Sequence, residues 1–92
     1  RDNAWVWGNA EVYDYAEVFG DTLVFDTAEV FGKAKIRDKA MVYDNAIVYG
    51  NAEVYDSAKV YGLTKVFGNA KVCGDAKVYG NEKIGGNTVV YG

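Results

Sequence analysis

Every sixth residue from Val6 to Val90 is Val or Ile, fifteen positions in all. Two residues before each stands a small side chain, from Ala4, Ala10, Ala16 and Thr22 through to Thr88, with Glu82 the single departure. Two residues after each stands Gly or Asp, from Gly8 and Asp14 to Gly92. The small and aliphatic positions lie two apart, so in an extended chain both point to one side and their neighbours to the other. Each unit is thus a very short strand with a narrow apolar inner face. It closes on a corner such as Gly8-Asn9 or Gly50-Asn51, where Gly tolerates positive φ and Asn or Asp tolerates the left-handed region. A helix fits poorly, because six does not match a 3.6 period and Gly or Asp at every sixth residue is costly in a helix interior. Hairpins fit poorly too, since every unit has the same polarity and the same corner. A solenoid whose coils stack by parallel hydrogen bonding remains.

Three units per coil place residues n and n+18 above one another, and the outward positions test that register. On one face the residue before each Val or Ile reads Glu17, Lys35, Glu53, Lys71, an alternation of opposite charge suited to stacked neighbours. Periods of 12 or 24 do not produce it. The same face sets Arg37 between Phe19 and Tyr55, the arrangement of a cation–π stack. A second face stacks Glu11, Glu29, Ile47, Lys65 and Lys83 beside Tyr13, Phe31, Tyr49, Phe67 and Gly85. The remaining face stacks Trp5, Leu23, Met41, Lys59 and Lys77 beside Trp7, Phe25, Tyr43, Tyr61 and Tyr79. Fifteen units make five coils, a prism roughly 24 Å tall at about 4.8 Å per layer.

Composition narrows the function more than the fold. The 92 residues make a single domain, 1–92, and the opening at Arg1-Asp2-Asn3 in mid-pattern suggests a segment of a longer chain. Net charge is −3, from 13 acidic and 10 basic residues, which gives little attraction for nucleic acid. No apolar stretch is long enough for a membrane span, so membrane insertion is not expected. Cys73 is the only cysteine, so no intramolecular disulfide forms, and histidine is absent. Cys73 occupies an outward aromatic position with nothing beside it in the pattern to activate the thiol. Glu82 occupies an inward position near the last unit, where solvation at a capping coil is the expected outcome. The Gly-rich corners open no helix and carry no Gly-Lys-Ser/Thr element, so they are not phosphate loops.

The fifteen aliphatic positions, each with a small residue two before it, resemble the hexapeptide-repeat superfamily over essentially the whole chain. The usual Gly after the aliphatic residue is here an aromatic (Trp7, Tyr13, Phe19, Tyr43), with Gly or Asp one further on. This Asn-Ala-x-Val-Tyr-Gly form looks like the very regular arrays of bacterial and phage proteins. The resemblance implies an all-β fold, a single-stranded left-handed parallel β-helix of triangular cross-section; the handedness comes from it alone, as parallel crossovers are generally right-handed. It also brings in acyltransferases, which need a catalytic His and usually a protruding loop, and a carbonic-anhydrase branch, which needs three His ligands. Without His, and with a spacing unbroken over fifteen units, this sequence lacks both sets of parts.

No catalytic, cofactor or metal-binding residue is therefore expected, and the chain reads as a non-enzymatic structural or interaction module. The candidate site is the run Trp5, Trp7, Leu23, Phe25, Met41 and Tyr43, three successive layers without an outward charge. A soluble monomer rarely shows such a patch without a use. Aromatic ladders that stabilise stacked coils are one reading. A protein–protein contact, as a homo-oligomer or against other domains of the parent protein, is another. Carbohydrate stacking on Trp5 and Trp7 is a third. An acyltransferase-like domain with its active site outside this segment is the enzymatic alternative. Ice binding on a regular Thr row is disfavoured, because Thr22, Thr64 and Thr88 occupy inward positions.

Overall fold

A computed structural model describes residues 4–92. The chain winds through fifteen short strands, from Trp5–Val6 to Val89–Tyr91, without a helix among the described residues. Every third strand pairs in parallel, giving three sheets of five strands each. The register is n to n+18 on all three: Trp5 lies against Leu23, Glu11 against Glu29, and Glu17 against Lys35. The result is a triangular parallel β-solenoid of five coils, with principal extents of 27 × 22 × 21 Å. Coil one is residues 4–21, and the later coils begin at residues 22, 40, 58 and 76. The first face is the sheet that starts at Trp5–Val6, the second starts at Glu11–Val12, and the third starts at Glu17–Val18.

The hydrogen bonds show why a six-residue unit suffices. In the units of the first four coils the residue before the aliphatic position, the residue after it and the second corner residue donate N–H to carbonyls 17 residues on, as Glu29 does to Ala46, Phe31 to Val48 and Lys33 to Gly50. The small residue closes the corner by donating to the carbonyl three back, as Ala34 does to Phe31. Backbone groups are thus paired between coils, which lets strands of only two residues persist.

The core is a column of Val and Ala. Val24, Ala28, Val30, Ala34, Ile36, Ala40 and their successors through Val72 are wholly buried. Three inward faces converge on a narrow prism axis, so only small and β-branched side chains fit. Thr22 and Thr64 take the small inward position and are also fully buried, each with a hydroxyl that has no hydrogen-bond partner among the described residues. Thr88, in the last coil, is exposed and its hydroxyl donates to the Gly85 carbonyl. Glu82 is likewise exposed in the last coil, so its carboxylate stays in water.

Candidate functional site

The first face carries the run singled out by the sequence. Its outer surface has two columns. In one, the rings of Trp7, Phe25, Tyr43, Tyr61 and Tyr79 stack from coil to coil, with centroids 4.6 Å apart at Trp7–Phe25 and 5.4 Å at Tyr61–Tyr79. The Phe25–Tyr43 pair in the middle is almost parallel, at 2°. These separations follow the coil spacing, so each ring rests offset on the next. In the other column Trp5, Leu23 and Met41 stand in register, followed by Lys59 and Lys77.

This division refines the candidate site. Trp7, Phe25 and Tyr43 belong to a ladder that runs the full height of the face. The second face has a ladder of the same kind, Tyr13, Phe31, Tyr49 and Phe67, with neighbouring centroids 5.0–5.3 Å apart. Ring stacking is therefore a structural habit of this chain. What distinguishes the first face is the adjacent column, in which three apolar side chains replace the charges seen elsewhere. Trp5 is 62% exposed and Trp7 50%, while Leu23, Phe25, Met41 and Tyr43 are half-buried by their stacked neighbours.

Electrostatics mark the rim of this face. The Tyr43 hydroxyl is held above the usual phenol range, first by burial in the ladder, then by Tyr61, Asp44 and Asp26. Tyr13, on the second face, is raised by desolvation and by the carboxylates of Glu29, Asp14 and Glu11. Neither phenol is available as a base near neutral pH.

The third face departs from its expected pattern in two places. Arg37 lies over the Tyr55 ring at 4.1 Å, as the stacking predicted. The ion pair to Glu53 is made by Arg37, at 3.3 Å, rather than by Lys35, which is Glu53's direct neighbour in register. Cys73 occupies the outward column but is not exposed: it sits against Tyr91 in register, is 7% accessible, and its Sγ lies 3.7 Å from the Val90 carbonyl. A small side chain between the large rings of Tyr55 and Tyr91 is covered by them, which six-residue spacing alone does not reveal. Hydrogen bonding to Cys73 is also the leading reason the Tyr55 phenol is raised, followed by burial.

A polar groove, not anticipated from the repeat, runs along the corner before the third face. It is lined by Tyr15, Glu17, Lys33 and Lys35 and continues past Asn51, Glu53, Asn69 and Lys71. Reading the second corner residue at a spacing of 18 would have exposed this column. Among the described residues, no three His, Cys, Asp or Glu side chains converge as a metal site. No family model matches the chain, and no curated protein or solved structure matches it.

Proposed function

We propose that this chain is a non-enzymatic, rigid β-helical module of the hexapeptide-repeat type, which self-associates through its first face. The observation that carries the reading is the column Trp5, Leu23, Met41, an uncharged strip three coils tall beside a continuous ring ladder. Exposed apolar strips of this kind are used as contacts, and aromatic residues are favoured at the core of interfaces. The absence of histidine from the whole sequence supports a scaffold over the acyltransferase chemistry that the resemblance brings in.

Solution mass tests the reading. Light scattering on the eluting protein should give a dimer or trimer that grows with concentration. Replacing Leu23 with Lys and Met41 with Glu should weaken that association about tenfold or more while leaving the β circular dichroism spectrum intact. Those two positions lie outside the ring ladder, and opposite charges there reproduce the in-register alternation of the third face. A clean monomer at high concentration, or association unmoved by the double substitution, would overturn self-association through this face. The exposure of Trp5 and Trp7 favours carbohydrate stacking as the second reading, which quenching of their fluorescence by oligosaccharides would reveal.

A further inference from the structure

The second face stacks like charges on one another at both of its ends. Its outward column reads Glu11, Glu29, Ile47, Lys65, Lys83 from coil one to coil five. Glu11 is the direct neighbour of Glu29, and Lys65 of Lys83, so like charges are stacked one strand apart at both ends. Like charges directly opposite each other in a sheet are destabilising. Among the described residues, none of these four side chains takes part in an ion pair within the chain. The third face shows the alternative order open to this fold, since Glu17, Lys35, Glu53 and Lys71 alternate in sign from coil to coil.

We infer that the second face is an isologous contact for a second copy of this chain, packed with the two solenoid axes antiparallel. A two-fold axis running along the strand direction at coil three sets coil one against coil five of the other copy, and coil two against coil four. Glu11 then faces Lys83 of the second copy, Glu29 faces Lys65, and Ile47 meets its own symmetry mate on the axis. The rotation applies each pairing twice, so all eight end charges are matched. The ring column follows the same rule: Phe31 faces Phe67, Tyr49 faces Tyr49, and Tyr13 faces Gly85. Gly85 is the one position of that column without a side chain, and a Cβ there would run into the Phe67 ring of its own chain. The terminal Tyr13 ring therefore meets a gap rather than another ring. The other face-to-face arrangement, with axes parallel, brings each coil onto itself and gathers four glutamates at one end and four lysines at the other. Charge complementarity therefore selects the antiparallel arrangement.

This contact is independent of the first face, and each stands or falls by its own substitutions. A face roughly 24 Å tall is small for a stable dimer, so association through it alone is weak and belongs at high protein concentration. Sedimentation velocity on the 92-residue chain at low salt, up to several hundred micromolar, is the measurement. Three variants decide it: Glu11→Lys with Glu29→Lys, Lys65→Glu with Lys83→Glu, and all four reversals together. Either pair alone should weaken association roughly tenfold or more, because one sign then covers the whole face. The fourfold variant should recover association with itself and fail to pair with the unsubstituted chain. An unsubstituted chain that stays monomeric overturns the inference, together with association through the first face. If both pairs of reversals associate as the unsubstituted chain does, the second face is not a contact and the first face keeps its claim. If the fourfold variant pairs with the unsubstituted chain, coils meet their own counterparts and the antiparallel arrangement is wrong.

Discussion

The repeat sets Gly or Asp at every corner, and the corner geometry suits both. Both occupy the left-handed region: Gly50 has φ 70°, and Asp14, Asp26, Asp38, Asp44 and Asp56 fall between 59° and 63°. The added constraint comes from the coil above, where a Cβ on Gly50 would lie 2.9 Å from the Gly68 backbone nitrogen. Asp turns this close approach into a hydrogen bond. All five left-handed Asp carboxylates accept the N–H of the corner residue 18 positions on, at 3.1–3.3 Å, as Asp38 does from Asp56 and Asp44 from Gly62. Turn chemistry was legible in the sequence, but this second reason was not, because the partner lies a whole coil away. The two reasons together predict that the larger substitution is the milder one. Gly50→Ala should cost about 2 kcal/mol in urea unfolding, from strain at positive φ and crowding against Gly68. Gly50→Asp should cost about half as much, its carboxylate accepting from the Gly68 N–H. Equal losses would mean that the corner bond contributes nothing.

Strands and ladders repeat that division between what spacing shows and what neighbours decide. The period of six gave the inward column, and stacking at 18 gave three faces whose registers hold in every strand pair. Which charges pair was less legible, because a long side chain reaches past its direct neighbour: Arg37 takes Glu53. Burial in the outward columns depended on the size of the stacked partners, which left Cys73 covered where the pattern read it as outward. The outward tyrosines have a consequence for pH. Tyr13, Tyr43 and Tyr55 are all raised from the ordinary value of 10.0, so the folded chain holds these phenol protons more tightly than the unfolded chain does. Below about pH 10 both states are protonated and the preference costs nothing; above it the unfolded chain ionises first, and stability falls as pH rises through the folded values. Urea midpoints measured from about pH 9 to about pH 11.5 should therefore decline across that range. Tyr43→Phe should remove part of the decline, because it takes one phenolate from the middle of the first-face ladder. A midpoint independent of pH would mean that these phenols are not held protonated by the fold.

Across the whole molecule the charge is polarised along the solenoid axis. Residues 4–21 carry four acidic and no basic side chains, while residues 58–92 carry five basic and two acidic. This asymmetry was visible in the sequence as an acidic first half and a mildly basic second half. Its meaning required the register, which places the gradient on a flat face as Glu11, Glu29, Ile47, Lys65 and Lys83. The two contacts proposed on neighbouring faces are opposite in physical character, and salt separates them. Charge pairing at an exposed rim weakens as the screening length shortens, whereas burial of an apolar strip does not depend on pairing charges. Association through the second face should fall markedly between about 0.05 M and about 0.5 M salt, a range over which the Debye length drops severalfold. Association through Trp5, Leu23 and Met41 should persist. In the chain with Leu23→Lys and Met41→Glu, the remaining association should be the salt-sensitive kind. In the chain with Lys65→Glu and Lys83→Glu, it should be the salt-resistant kind. If one variant loses association altogether while the other associates as the unsubstituted chain does, a single face carries all the association, and the variant that lost its dimer identifies it.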